Sequence, residues 1–243
     1  MVDTTTHDVM VTQTEKAQEL LDFFQGARAQ IEADLNAAAY RVGDTQRSVY
    51  VDQVNGDNAN SGLADAPVQT LQAAINMSTY EGVLNIKLMS DYHHETVSYF
   101  RNGQVNISSN VTGVKRRLTF GPTVTTSETD VSMPRFSAPT GNTFFLLKDV
   151  ILVAATTAGT STIGKSMFAT TGLTSVALFN CSIELPAGSD QALMRPINGH
   201  GMGLIIQSTT FPVEMAGRWI EGVVAGTDPL TLRYLAHTNL ATL

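Results

Sequence analysis

A chain of 243 residues, 43% hydrophobic and 15% charged, can bury a sizeable core, which excludes a chain disordered by composition. Its formal charge of -7 excludes the basic surface that non-specific nucleic-acid binding needs to displace counterions. The charge is uneven: residues 1–44 hold eight acids and three bases, so most of the excess sits at the start of the chain.

The single cysteine, Cys181, rules out an intrachain disulfide and a cysteine-built zinc site. It lies in an alternating apolar run, which predicts a buried thiol rather than a nucleophile. The opening residues Met1–Asp8 are polar and acidic, without the apolar segment of a signal peptide, and no run of about 18 apolar residues follows. The expectation is a soluble protein, cytosolic at synthesis and without membrane insertion.

Residues Thr12–Tyr40 are rich in Ala, Glu, Gln and Leu and contain no proline, which predicts a helix. Alternating steps of four and three from Gln13 reach Ala17, Leu20, Phe24, Ala27, Ile31, Asp34 and Ala38, a short heptad seam with polar breaks. Such a helix packs either on its own domain or in a parallel bundle of several copies. The bundle is preferred, because the following segment begins a different architecture. Ala17, Leu20, Phe24, Ala27, Ile31 and Ala38 are then the oligomerisation or attachment residues of an N-terminal helical stalk over 1–46.

From Ser48 the character changes. A β-branched and aromatic run, Val49-Tyr50-Val51-Asp52, enters a loop of Asn, Gly and Asp (Asn55–Gly62). Pro67 then stands at a plausible first helical position, with Val68, Leu71, Ala74 and Ile75 on one face of a helix near 67–77. Past residue 80, Val83–Leu88 alternates, with Leu84, Ile86 and Leu88 on one side. Short apolar runs recur between Gly, Asn, Ser and Thr.

The later runs superimpose. Lys148–Leu152 lies over Phe179–Ile183, Gln207–Phe211 and Ala236–Leu240, at offsets of 31, 28 and 29. Each copy carries Asp149, Asn180, Ser208 or His237 at the same polar place. A period near 30 with several short strands predicts a solenoid whose coils cover one another; a β-sandwich is the alternative. The final Leu240–Leu243 supplies no polar cap, which predicts that a partner chain covers the apolar end.

The stretch Tyr50-Val51-Asp52…Asn55-Gly56-Asp57-Asn58…Asn60-Ser61-Gly62…Pro67…Thr70-Leu71-Gln72-Ala73-Ala74-Ile75 resembles the entry segment of bacteriophage tail-fibre and tailspike proteins of the pectate-lyase-like right-handed β-helix family. The resemblance covers residues 49–76. It implies a mainly β chain that forms a homotrimer: the helical stalk, then a short right-handed parallel β-helix over 47–243, capped by Val68, Leu71, Ala74 and Ile75. It further implies a virion protein anchored to other structural proteins through its N-terminal segment. The body would attach to host-surface polysaccharide or carry a downstream fibre protein. A head fibre or decoration protein, and a polysaccharide-cleaving tailspike enzyme, are the alternatives.

Motifs for chemistry are few, and the expectation is not an enzyme, with no cofactor and no metal. Gly159–Ser166 matches G-x-x-x-x-G-K-[ST] at every position, and a phosphate-binding loop needs a helix starting at Lys165. The Thr-rich residues that follow, broken by Gly172, predict none. Glycoside cleavage needs two facing carboxylates. Glu128 and Asp130 lie two apart in a Thr/Ser-rich loop, Asp149 sits at a turn, and Arg195 has only Asp190 nearby. His93-His94-Glu95 places neighbours on opposite strand faces, against a metal site. The loop Asp52–Gly62 has oxygen ligands of the kind calcium prefers, in the wrong spacing for an EF-hand. His200 lies in a glycine-rich turn without a nucleophile. Trp219, Tyr234 and Tyr99 are candidates for stacking on sugar rings or for core packing.

Overall fold

The computed structural model describes residues 14–31, 46–78, 82–122, 124–125, 131–139, 142–156, 164–197 and 201–243. The chain divides into two units, Met1–Asp44 and Thr45–Leu243.

In the first unit, residues 14–31 form helix α1, exposed along its length except at half-buried Ala27. The second unit opens with β1 (Gln46–Val51), the polar loop and helix α2 (Leu71–Asn76). The chain then runs through repeated circuits of three strands. The first is β2 (Val83–Leu88), β3 (Tyr92–His94) and β4 (Val97–Tyr99). The second is β5 (Gln104–Ser109), β6 (Arg116–Phe120) and, after an antiparallel ribbon of β7 (Val124–Thr125) and β8 (Val131–Ser132), β9 (Arg135–Ala138). The third is β10 (Thr143–Lys148), β11 (Val150–Val153) and β12 (Ser166–Thr170). The fourth is β13 (Thr174–Phe179), β14 (Ser182–Glu184) and β15 (Ala192–Pro196). Finally β16 (Met202–Gln207) is followed by 3-10 turns at Val213–Met215 and Pro229–Thr231 and by β17 (Leu235–Thr238).

Strands from successive circuits pair in parallel and make three sheets: β1-β2-β5-β10-β13-β16-β17, β14-β11-β6-β3 and β15-β12-β9-β4. Parallel pairing in register puts like side chains over like. One inward column runs Val49, Ile86, Ile107, Leu147, Leu178 and Ile206; its neighbour runs Leu84, Val105, Phe145, Val176 and Leu204. All are buried, each stabilising by roughly 1.5–3 kcal/mol relative to exposure. Outward positions pair through polar groups: Asn106 Nδ2 donates to Asn85 Oδ1 at 2.7 Å, and Lys87 Nζ to Ser108 Oγ at 3.0 Å. At the corner after the long sheet, Asp149, Asn180 and Ser208 all take positive φ (55°, 50° and 50°). This conformation costs least for short polar side chains, and Asn180 Nδ2 donates to Asp149 Oδ1 at 2.6 Å.

Part of the core is aromatic. The Phe136 ring lies 4.7–5.5 Å from those of His94, Phe100, Phe120 and Phe168 and 6.4 Å from Phe145. Edge-to-face packing of this kind adds to the area term.

The fold class expected from the sequence, a helical stalk over 1–46 followed by a short right-handed parallel β-helix, is corrected to a body of three parallel sheets of seven, four and four strands. Helix is described only over residues 14–31 of the first unit, so no long stalk stands among the described residues. The regular period fails for a physical reason. Val83 pairs with Gln104, 21 residues on, and Gln104 pairs with Phe144, 40 residues on, because loops and the antiparallel ribbon enter between strands.

Where the period does hold, the register is as read: Lys148 pairs with Phe179 and Phe179 with Gln207. The last copy slips. Gly203 pairs with His237 across a register shift, so Ala236 does not continue from Gln207. The chain covers part of its apolar end by itself, while Phe211, Val213, Val224 and Leu230 stay exposed. After β16 the chain itself supplies Met215, Trp219, Ile220, Val223 and Leu243, all buried in the same core.

Candidate functional site

Two surfaces merit description: the bare helix α1 and the region around α2. On α1, Leu20, Phe24 and Ile31 are exposed, as is Ala17, while Ala27 is half-buried; Ala38 lies outside the described residues. Leu21 and Phe23 add to the seam, Phe23 being 69% exposed with its ring edge-on to that of Phe24 at 5.8 Å. The heptad reading missed these two because it followed a single stripe, whereas the apolar surface is broader.

At α2 the sequence reading locates the residues and misplaces the start. Val68, Leu71, Ala74 and Ile75 are all buried, but the helix begins at Leu71, with Thr70 as its N-cap accepting from Ala73 N at 3.2 Å. Val68 instead bridges to Val51 as an extended residue. The Asn/Gly/Asp loop spends its oxygens on backbone. Asp52 Oδ1 accepts from Val54 N and Asn55 N, Asp57 Oδ1 from Ala59 N, and Asn58 Oδ1 from both Gln69 N and Thr70 N. Burial pushes the Asp52 carboxyl up, yet the hydrogen bonds from Ser90, Asn55 and Val54 outweigh it and hold the group below the usual carboxylate range. Gly56 is needed here, since a Cβ would stand 2.4 Å from Val68 O. Sequence reasoning also missed Tyr92, whose hydroxyl accepts from Leu71 N at 3.0 Å and so satisfies the first turn of α2.

The phosphate-loop match has a partner for its lysine and no helix. Ser166 opens β12, and Lys165 forms an ion pair with Asp190 while its N–H donates to Glu221 Oε2 at 3.0 Å. Gly164 lies under Arg195, a Cβ there meeting Nη1 at 1.8 Å. Gly159–Ile163 fall outside the described residues, as do Glu128, Asp130 and His200. Arg195 approaches Glu221 at 4.0 Å rather than Asp190.

The remaining acids of the walls have partners as well. Glu184 receives two hydrogen bonds from Arg117, whose backbone N–H donates to Asp91. His93 pairs with Glu95 at 3.3 Å on the surface, while His94 turns inward and is buried. Burial, with His93 adding repulsion, pushes the His94 imidazole down to about 4. Among the described residues no group of three His, Cys, Asp or Glu could hold a metal ion. Cys181 is buried, and burial raises its thiol to about 11, the inert state expected. No described helix is long and apolar enough to cross a membrane.

Of the three aromatic candidates, Trp219 packs edge-on against Phe211 at 4.9 Å and is buried, and Tyr234 is half-buried. Tyr99 is 51% exposed at the edge of the α2 region.

No family model matches the chain, and no curated protein does. A solved structure, the GH136 lacto-N-biosidase from Eubacterium ramulus, aligns with a TM-score of 0.43 and 12% identity over 85% of this chain and 42% of that one. The chain therefore spans less than half of that enzyme's length. A likeness at this level assigns neither family nor activity.

Proposed function

We propose that the protein is a structural attachment component of a bacteriophage virion, a tail fibre or spike subunit whose copies join as a trimer through α1 and anchor there to other virion proteins. The body is then presented to host-surface polysaccharide or carries a further receptor-binding protein. The observation that carries this reading is the exposed apolar surface of α1: Leu20, Leu21, Phe23, Phe24 and Ile31 are each at least half exposed. A helix with that much apolar surface gains from partners, because each buried leucine or phenylalanine contributes roughly 1.5–3 kcal/mol. Alternating seams of this kind associate in parallel. The resemblance of residues 49–76 to tail-fibre and tailspike entry segments supplies the viral setting. The reading invokes no catalytic step.

Sedimentation of the full chain against a chain lacking residues 1–40 tests it. The full chain sediments as a trimer and the truncated one as a monomer that no longer incorporates into particles. A monomeric full chain, or unchanged incorporation after truncation, overturns the reading. Imaging of labelled protein on particles separates a tail position from a head fibre or decoration.

A further inference from the structure

A recess of about 430 Å³ lies between α2 and the segment after β4, lined by Gln72, Ile75, Asn76, Ser78, Tyr99, Arg101 and Asn102. Its volume falls within the range of small-ligand sites. We infer that this recess binds one acidic sugar unit of a polysaccharide.

The lining has the parts such a ligand requires. Tyr99 offers an exposed aromatic ring, and a pyranose presents apolar C–H faces to such a ring. Gln72 and Asn76 lie one helical turn apart on the exposed side of α2, joined by a hydrogen bond from Gln72 Nε2 to Asn76 Oδ1 at 2.9 Å. That leaves the Asn76 amide NH2 and the Gln72 carbonyl as a donor and an acceptor for sugar hydroxyls. Arg101 is exposed and makes no ion pair among the described residues, and no described residue of the lining is a carboxylate. An arginine so placed is a fork for a carboxylate. A neutral sugar would leave it unused, which is why the acidic class is the better fit.

The recess is also held in shape before any ligand arrives. Between Tyr99 and Arg101, Phe100 turns inward and is fully buried, 5.4 Å from the rings of both Phe136 and Phe145. Asn102 is buried next; its carbonyl accepts from Thr143 Oγ1 at 3.1 Å and its side chain meets Ser78 Oγ at 3.3 Å. The two inward anchors fix the backbone that carries the two outward side chains, so little backbone ordering is left to oppose binding.

The inference deepens the attachment reading and rests on it only for the source of the sugar. Titration of the full chain, followed by NMR or calorimetry, uses three probes: a tetramer of galacturonic acid, the neutral galactose tetramer, and inorganic phosphate. The galacturonate binds most tightly, and Arg101→Ala weakens it about tenfold or more, the loss expected for a charge-assisted bond. Arg101→Lys restores part of the affinity, and Tyr99→Ala weakens both tetramers. Both residues are exposed, so the melting temperature of each variant stays at the parent value. Equal binding of galacturonate by Arg101→Ala, binding of phosphate as tight as that of galacturonate, or binding of none of the three overturns the inference. A chain that binds galacturonate yet fails to join particles sinks the virion reading and leaves the recess standing; the opposite result sinks the recess alone.

Discussion

Five phenylalanines of the body and two of helix α1 have opposite fates. In the body, Phe100, Phe120, Phe136, Phe145 and Phe168 are all buried against one another, whereas Phe23 and Phe24 on α1 lie open. The residue type is the same, and the difference is what the local structure places next to it. In the body a circuit returns the chain to within one strand spacing of itself, so Phe136 meets His94 and Phe100 of the circuit before and Phe145 and Phe168 of the circuit after. Helix α1 has no such return of the chain, and its apolar side chains stand exposed. Burial in this molecule is thus a property of repetition rather than of composition.

The largest effect should come from the hub of the repeated core. Phe136→Ala removes a ring packed against five others and should cost roughly 3–5 kcal/mol of stability, measured as a loss in urea or thermal unfolding of the body. A loss under about 1 kcal/mol would show that the cluster relaxes freely and that the contrast with α1 is smaller than its geometry suggests.

An intermediate effect lies with His94, whose edge-on partner is Phe120 at 5.5 Å. Its folded-state pKa of about 4 lies below the ordinary value of 6.5. The unfolded chain therefore binds a proton that the folded chain refuses. Stability is fully present above pH 6.5, falls as the pH drops towards 4, and levels off below that. The total is on the order of 3 kcal/mol. His94→Phe should flatten the melting temperature between pH 6.5 and 4, and an unchanged slope would place the titration elsewhere.

The smallest effect belongs to α1. Phe24→Ser should leave the melting of the body within about 0.5 kcal/mol, as for other exposed sites, while lowering self-association of the full chain in sedimentation. A body destabilised by this change would mean that the helix is not the independent surface described above.

These regions were unequally legible in the sequence. The offsets linking Lys148, Phe179 and Gln207 could be read directly, because apolar alternation and a polar corner residue recur together there. The left-handed conformation shared by Asp149, Asn180 and Ser208 is the reason for that recurrence: the corner admits few residue types, so it leaves a mark on the sequence. The buried face of α2 was legible for the same kind of reason, as a 3.6-residue spacing. The ring cluster was not, since Phe136 and Phe168 come from short strands set among Ser, Thr and Pro and Phe100 from the residue after one, and only the return of the chain brings them together. Unequal loops hid the true circuit lengths and made a regular period look more general than it is. The recess was half visible, as Tyr99 alone; Arg101 carries no signal until Phe100 and Asn102 are known to point inward.

The loop that folds back along β1 has one more consequence. Tyr50 N donates to Gly62 O, Asp52 N to Val68 O, and Val68 N to Tyr50 O. The outer margin of the long sheet at Tyr50–Asp52 thus has its donors and acceptors already taken by residues of the same chain. Exposed margins of this kind are where sheets recruit strangers and grow into fibrils. The polar loop acts as a stopper: it lets a protein made of stacked parallel strands stay finite, closing at its first strand a pattern that could otherwise be extended by any chain with a free strand to add.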